Sequence, residues 1–228
     1  MTITTVVFDA YGTLFDVAGA ARAMAEQPGR DEFSEHWQEI AADWRTKQLE
    51  YSWLRAAAGT HCDFWDVTKD GLDWALEARG LGDDLALRED LLALYWELPP
   101  YHDGLRALAL LKATGFQTAI LSNGSPDMLD GAVNSAGLEM LLDAVLSVED
   151  VGVFKPSSKV YEMVGARFDV TPDQVLFVSS NGWDAAFAAH YGFVTAWVNR
   201  AGVPMDRLPG TPTHVLSDLS TIPDLAKV

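Results

Sequence analysis

Cysteine, basic side chains and long apolar runs are all scarce in this chain of 228 residues. The single cysteine, Cys62, excludes an internal disulfide framework and indicates a reducing compartment. Only 16 lysines and arginines stand against 33 acids, and the formal charge of −17 argues against a nucleic acid or an anionic membrane as the partner. No apolar run reaches membrane-spanning length, and no basic segment precedes an apolar one at the N-terminus. We therefore expect a cytoplasmic protein without a signal peptide.

The composition is that of a globular protein, 49% hydrophobic and 21% charged. The length fits one domain, or one domain that carries a smaller insert. Neither an internal repeat nor a low-complexity segment occurs in the sequence. The chain is therefore long enough to bury a substantial core.

Short β-branched runs alternate with helical patterns, which is typical of an α/β fold with a parallel sheet covered by helices. The predicted strands cover residues 4–8, 117–121, 144–147, 175–178 and 194–198. The predicted helices cover residues 31–58, 66–79, 87–97, 104–113, 126–136, 158–167, 183–191 and 217–226. Where the helix over 126–136 begins, we expect Ser125 to be its cap and Pro126 its first residue.

A long stretch without any strand pattern separates the first predicted strand from the second. We expect residues 18–98 to form a helical cap, and residues 1–17 and 99–228 to form the core. An insert after the first strand emerges at the carboxyl end of that strand, which is where open α/β sheets bind ligands. The predicted cap is therefore placed to cover a site.

Polar clusters follow three of the predicted core strands, and a lysine lies in a fourth connection. They are residues 9–13, 122–124, 155–156 and 179–184. Taken alone, Asp9 is more simply a turn cap and Lys155 a solvated loop charge. If the sheet is parallel, however, all four clusters converge on one crevice. Their joint spacing therefore predicts a functional site.

These clusters lie in motifs that resemble the haloacid dehalogenase superfamily and, more narrowly, its L-2-haloacid dehalogenases. The resemblance extends essentially over the whole chain. Its most specific stretches are FDAYGTLFD from Phe8, WRTKQLEY from Trp44, LSNGS from Leu121 and FVSSNGWD from Phe177. The resemblance implies a Rossmann-like core with a helical cap inserted after the first strand, as the pattern of elements predicts independently.

Phosphate-ester hydrolysis is the commonest activity of this superfamily, and two positions argue against it here. The phosphatases carry a second acid two residues after the nucleophilic aspartate, where it protonates the leaving alkoxide. Tyr11 occupies that position, and a halide leaves without a proton. The phosphatases also hold Mg²⁺ with carboxylates, but the fourth cluster offers Asn181 where an acid is expected. We therefore expect a hydrolase without metal or cofactor; a phosphatase and a non-catalytic binding protein remain as alternatives.

The resemblance implies that Asp9 attacks C2 of an L-2-haloacid with inversion and forms an ester. Water then hydrolyses the ester to a D-2-hydroxy acid, with Asp184 as base. The expected catalytic residues are Asp9, Thr13, Arg45, Lys155, Ser179, Asn181 and Asp184. The expected substrate-binding residues are Ala10, Tyr11, Arg45, Leu49, Phe64, Ser122, Asn123, Tyr161 and Trp183. The expected partners are the haloacid, the halide and a second copy of the chain in a homodimer.

Overall fold

Six parallel strands form one sheet in the computed structural model, which describes residues 2–227. The strands are β1 (Thr5–Phe8), β2 (Gln117–Ser122), β3 (Ala144–Ser147), β4 (Val175–Ser179), β5 (Val194–Val198) and β6 (His214–Leu216). Their order is β3-β2-β1-β4-β5-β6, with every neighbouring pair parallel. The central strands β1 and β4 are completely buried, which agrees with their unbroken apolar sequences.

The helices are α1 (Gly19–Ala25), α2 (Asp31–Ala58), α3 (Phe64–Glu77), α4 (Leu85–Tyr95), α5 (His102–Ala113), α6 (Pro126–Ala136), α7 (Ser158–Phe168), α8 (Gly182–Tyr191) and α9 (Ile222–Leu225). The chain moves one way across the sheet from β1 to β3 and the other way from β4 to β6. Right-handed crossovers therefore place helices on both faces, and the predicted Rossmann-like α/β fold is confirmed. None of the helices described combines the length and apolar character of a membrane-crossing helix.

The order of the strands reverses at β1, and this reversal positions the site. From β1 the chain proceeds to β2 and β3 on one side, then returns to β4 on the other side. The carboxyl ends of β1 and β4 therefore flank a topological switch point, where open α/β sheets leave a crevice for ligands. Residues 9–13 follow β1 and residues 180–184 follow β4, so both polar clusters open into this crevice.

Helices α1–α4 all lie between β1 and α5 in the chain. The two connections between these helices and the sheet run side by side. Asp16 N donates to Pro99 O at 2.9 Å, and Tyr101 N donates to Leu14 O at 2.8 Å. Helix α2 ends at Gly59, whose positive φ of 66° suits glycine at a helix C-terminus.

Three details of the sequence prediction are wrong. A final helix over 217–226 was expected, but β6 precedes this region and α9 covers only Ile222–Leu225. Strand β6 is a three-residue, partly exposed edge strand, too short for a clear pattern. The seven-residue helix α1 was not predicted either, because small residues give it little periodicity. Helix α6 begins as predicted, with Ser125 at the N-cap position and Pro126 as its first residue, although the Ser125 side chain makes no capping hydrogen bond. The side chains of Asp63 and Asp84 do cap α3 and α4.

Candidate active site

Asp9 lies immediately after β1 and is almost completely buried. Its two carboxylate oxygens have different surroundings. Oδ2 accepts hydrogen bonds from Thr13 Oγ1 at 3.0 Å, Asn181 Nδ2 at 2.8 Å and Ser179 Oγ at 3.4 Å. Among the described residues, the only hydrogen-bond donor to Oδ1 is Lys155 Nζ, at 3.2 Å. The carboxylate is therefore held firmly through one oxygen, while the other has a single donor.

Lys155 joins two carboxylates, and its side chain is 1% exposed. Nζ lies 3.2 Å from Asp9 Oδ1 and 2.7 Å from Asp184 Oδ2. Burial works to lower the pKa of this amine, but the carboxylates of Asp184 and Asp9 outweigh it and raise the pKa above its ordinary value. The backbone N–H of Lys155 donates to Asn123 Oδ1 at 2.9 Å, which links the third polar cluster to the second.

Asp184 lies on the first turn of α8 and is fully buried. Besides Lys155, its partner is Tyr161, whose hydroxyl donates to Oδ1 at 2.8 Å. Burial raises the pKa of the Asp184 carboxyl, against the opposing pull of the Lys155 ammonium group. Burial, reinforced by the nearby Asp184 charge, likewise raises the pKa of the Tyr161 phenol well above its ordinary value. The Asp184 carboxylate is therefore held between one ammonium group and one phenol in a fully buried position.

Arg45 reaches the sheet from the middle of α2. Its Nη2 donates to Asn181 Oδ1 at 3.2 Å and to Tyr11 O at 3.4 Å. Its Nη1 donates to Gln48 Oε1 at 2.8 Å. The guanidinium therefore lies on the opposite side of Asn181 from Asp9, because the amide oxygen of Asn181 faces Arg45 and the amide nitrogen faces Asp9.

A small cavity of about 10 Å³ lies among these groups. Its lining residues are Asp9, Tyr11, Arg45, Leu49, Phe64, Ser122, Asn123, Lys155, Asn181 and Trp183. Every one of them was predicted from the sequence. A space of this size admits about one water molecule, so the site is closed in this conformation.

Five other predicted residues do not line the cavity. Thr13, Ser179 and Asp184 support the lining groups from behind. Ala10 is buried beneath the turn, with its carbonyl accepting from three backbone N–H groups of residues 13–15. The Tyr161 hydroxyl donates to Asp184, and its ring packs against Phe177 and Phe193. The structure therefore places Tyr161 behind Asp184 rather than against the cavity.

The apolar side of the cavity is aromatic. The rings of Tyr11 and Phe64 lie 6.3 Å apart, and Tyr11 also stacks on Tyr95 at 5.6 Å. Burial is the main reason that the pKa of Tyr11 lies well above its ordinary value. Trp183 packs edge-on against Trp53 at 5.3 Å, and its buried Nε1 has no acceptor among the described residues. Trp183, which lines the cavity, therefore carries an N–H donor without an acceptor among the described residues.

A second contact between the α1–α4 helices and the sheet lies beside Phe64. Glu149, after β3, accepts from the Phe64 backbone N–H at 3.3 Å and lies 2.9 Å from His61 Nε2. The His61 ring packs on Phe154 at 4.4 Å. The start of α3, which carries Phe64 into the cavity, is therefore fixed to the carboxyl edge of the sheet.

Sequence reasoning missed the polar groups behind Arg45, which are Gln48, Thr68 and Tyr95. All three are buried, and Gln48 donates to both of the others, at 2.7 and 3.1 Å. The spacing of three residues between Arg45 and Gln48 places both on one helix face and could have indicated their contact. Thr68 and Tyr95 come from other helices, so no local pattern identifies them.

Within residues 2–227, no group of three or more histidine, cysteine or acidic side chains is arranged to hold a metal ion. The two carboxylates nearest each other, those of Asp9 and Asp184, share the ammonium group of Lys155. An amine already stands between them as the counter-charge. The charged groups at this site therefore form a carboxylate that is held in place and paired with the lysine ammonium group.

Fold and site together define the class of this protein. It is an α/β protein of the Rossmann-like type with a buried aspartate at the switch point of the sheet, paired with a lysine and covered by a helix that carries arginine. Residues 3–192 match the family of haloacid dehalogenase-like hydrolases. The chain belongs to this family, and within it to the (S)-2-haloacid dehalogenases, as its curated relatives establish.

Two of these relatives illustrate the similarity. The chain is 43% identical to (S)-2-haloacid dehalogenase 1 of Pseudomonas sp. (strain CBS-3), over 98% of this chain and 96% of the relative. It is 48% identical to the (S)-2-haloacid dehalogenase of Xanthobacter autotrophicus, over 87% and 76% of the two chains. The predicted resemblance is therefore confirmed.

A solved structure gives the same result for the fold. The L-2-haloacid dehalogenase from Xanthobacter autotrophicus with chloropropionic acid covalently bound superposes with a TM-score of 0.87 at 40% identity, and 98% of each chain is covered. In that relative the acid is attached to the protein. A covalent intermediate therefore belongs to the chemistry of this branch.

Proposed function

We propose that this protein hydrolyses short L-2-haloalkanoic acids to D-2-hydroxy acids and halide. One observation carries the proposal: a buried Asp9 carboxylate with one oxygen held by three donors and the other facing the cavity beside Lys155. Relatives of this branch are named (S)-2-haloacid dehalogenases, and one of them holds chloropropionic acid covalently. The reaction needs no proton on the leaving group, which suits a site with tyrosine at position 11.

In the first step, Asp9 attacks C2 of the haloacid from the side opposite the halogen. A C2–O bond forms while the carbon–halogen bond breaks, and its electron pair leaves with the halide. Oδ1 is the attacking oxygen, because Oδ2 already accepts from Thr13, Ser179 and Asn181. Attack from the rear inverts C2, so an L substrate gives a D product.

The halide leaves toward Arg45. The guanidinium is permanently charged, and it lies next to Asn181, which also contacts Asp9. Trp183, which also lines the cavity, carries a further N–H donor without an acceptor among the described residues. Positive charge here stabilises the anion as the carbon–halogen bond breaks.

The substrate carboxylate binds on the opposite side, at Ser122 and the neighbouring backbone amides. Ser122 and Asn123 line the cavity where β2 ends. The backbone N–H groups of Tyr11 and Asn123 donate to no acceptor among the described residues. Lys155 lies close enough to neutralise both the substrate carboxylate and Asp9.

Water completes the reaction by attacking the ester carbonyl carbon of Asp9. Asp184 accepts the proton from that water, and its raised pKa favours this role. The bond between this carbon and Oδ1 breaks, Oδ1 takes up the proton that Asp184 accepted, and it leaves as the new hydroxyl oxygen of the product. The second proton of the water is lost from the Asp9 carboxyl group, which returns to the carboxylate form. Thr13, Ser179 and Asn181 hold the remaining oxygen throughout.

Residues 18–98 form a cap that must open to admit substrate, and residues 1–17 and 99–228 form the core. A cavity of about 10 Å³ cannot hold even the smallest haloacid. Arg45, Leu49 and Phe64 reach the cavity from the cap, whereas Asp9 and Lys155 belong to the core. Closure of the cap therefore assembles the site and excludes bulk water.

The active unit is a homodimer in the cytoplasm. Trp53, Leu54 and Trp74 are exposed on α2 and α3, where large apolar side chains favour association with a second copy. The single cysteine suits a reducing compartment.

The decisive experiment measures halide release from L- and D-2-chloropropionate, with EDTA present, for wild type and Asp9→Asn. We expect release from the L isomer alone, unaffected by EDTA and abolished by the substitution. Asp127→Asn, at an exposed position of α6, serves as the matched control and should keep full activity. Phosphate release that depends on Mg²⁺ would instead support a phosphatase. Absence of both activities would support a non-catalytic binding protein.

A further inference from the structure

A buried polar side chain that the proposed chemistry does not use lies directly behind Arg45. Gln48 is 1% exposed, and its Oε1 accepts from Arg45 Nη1 at 2.8 Å. The other acceptors of the guanidinium among the described residues lie farther away, Asn181 Oδ1 at 3.2 Å and Tyr11 O at 3.4 Å. Gln48 therefore makes the shortest hydrogen bond that holds this side chain.

The surroundings of Gln48 determine which way its amide points. The one proton of Thr68 Oγ1 is donated to Phe64 O at 2.8 Å. Thr68 can therefore only accept at its contact of 2.7 Å with Gln48, so the NH₂ group faces Thr68. The carbonyl oxygen is left facing Arg45. The hydrogen bonds of Thr68 on α3 therefore fix the orientation of the Gln48 amide, whose carbonyl oxygen accepts from Arg45.

We propose that Gln48 is a positioning residue that aims the Arg45 guanidinium at the departing halide, and so sets how strongly the rate depends on the leaving group. This inference rests on the proposed function. Arg45 is half-buried, with few acceptors around it. Without Gln48 the guanidinium keeps only its two longer hydrogen bonds, to Asn181 and to the Tyr11 carbonyl, so its charge is held less firmly as the halide leaves.

The test is Gln48→Met, which keeps the length of the side chain and removes the acceptor. We expect kcat for L-2-chloropropionate to fall about tenfold to a hundredfold, the usual effect of losing a hydrogen bond to a charged group. The fall should be smaller for L-2-bromopropionate, because bromide needs less stabilisation as it leaves. The ratio of bromide to chloride rates should therefore rise. Gln27→Met, the same change at an exposed position just after α1, should leave both rates and their ratio unchanged.

A double-mutant cycle distinguishes positioning from general damage to the fold. If Gln48 acts through Arg45, adding Gln48→Met to Arg45→Lys should change the rate with the bromo substrate less than twofold. If instead the rate of the double variant falls by the product of the two single-variant losses, the two residues act independently and the proposal is overturned. Thr68→Val leaves Gln48 in place but removes the hydroxyl group that orients its amide, so this variant should also raise the bromide-to-chloride ratio. If Gln48→Met does not fold, Thr68→Val is used for the test instead.

The outcomes separate the two proposals. If wild type releases no halide from either substrate, the proposed function itself fails. If wild type is active and a folded Gln48→Met keeps the wild-type ratio, the dehalogenase assignment stands and Gln48 has no positioning role.

Discussion

Three ionisable side chains lie together in one buried cluster at the active site. Asp9 and Asp184 bring two negative charges, and Lys155 brings the positive charge between them. A buried ion contributes favourably only when its partners are in place, because each charge has lost its hydration. The buried carboxylates of Asp9 and Asp184 therefore depend on Lys155 for their counter-charge.

We predict that Lys155→Met abolishes halide release and lowers the free energy of unfolding by about 3–5 kcal/mol, since two carboxylates remain buried without their cation. Urea denaturation at pH 8 measures the loss. The loss should shrink at pH 5, because protonation of a buried carboxyl removes its charge, and burial already raises the pKa of Asp184. Lys112→Met, which breaks an exposed pair with Asp143, should cost less than about 1 kcal/mol.

Buried tyrosines give the protein a sensitivity to alkali. Burial raises the pKa of Tyr11 and of Tyr161 well above the ordinary value. The folded protein therefore keeps these protons at a pH where the unfolded chain loses them. Their contribution to stability is complete below about pH 10 and is lost as the pH rises above that value.

We predict that the free energy of unfolding falls by about 1.4 kcal/mol per pH unit above pH 10 for each such tyrosine. Urea denaturation at pH 8, 9.5 and 11, followed by circular dichroism, measures the slope. Tyr161→Phe lowers stability at pH 8, because Asp184 loses a donor, but its slope above pH 10 should be shallower. Equal slopes in the two proteins would contradict this account.

At the scale of elements, the packing of α2 on α3 places the Arg45 side chain. The helices approach closely at Gly71, where a Cβ would lie 3.2 Å from Gln48 N and 3.3 Å from Trp44 O. Trp44 Nε1 donates to Thr68 O at 2.8 Å across the same contact. A larger side chain at position 71 must therefore separate the helix that carries Arg45 from the helix that carries Phe64.

We predict that Gly71→Val lowers the free energy of unfolding by about 1–3 kcal/mol through overpacking and also lowers kcat. Gly71→Ala should have a smaller effect in the same direction, because only one atom must be accommodated. Thermal denaturation and the halide assay, performed on both variants, test this order. A Gly71→Val protein as stable and active as wild type would show that the two helices adjust freely.

At the scale of the whole molecule, the exposed apolar side chains on α2 and α3 are the basis of the proposed homodimer. Leu54 is 57% exposed, and it lies beside Tyr51 and Trp74 in a groove of about 460 Å³. The other residues that line this groove are charged: Arg55, Asp70, Asp73 and Glu77. The rest of the surface is strongly acidic, as the net charge of −17 requires. An apolar face of this kind on a charged protein favours contact with its own copy.

We predict that wild type sediments as a dimer and that Leu54→Glu sediments as a monomer, because the added charge loses hydration in the interface. Analytical ultracentrifugation at micromolar concentration measures both. Leu110→Glu, at a similarly exposed leucine on α5, should stay dimeric. A dimeric Leu54→Glu protein would place the interface elsewhere.

The apolar patterns of the sequence were sufficient to predict five of the six strands, because buried parallel strands and amphipathic helices impose their periods locally. The polar clusters after the strands predicted most residues that line the cavity, whereas Arg45, Leu49 and Phe64 were expected only from the family resemblance. The final helix was wrong and α1 was missed, since short elements with few buried side chains carry little pattern. Ala10 and Tyr161 lie behind the site, because sequence position does not determine which way a side chain points.

The sequence by itself determined the fold class, the family and the set of groups that meet at the carboxyl edge of the sheet. It did so because strand endings and motif spacing are local properties of the chain. Only the tertiary structure decided which oxygen of Asp9 is free, that Lys155 stands between two carboxylates, and that Gln48 and Thr68 orient Arg45. These contacts join residues far apart in the chain, and their hydrogen bonds have a direction only once the helices and the sheet are packed together.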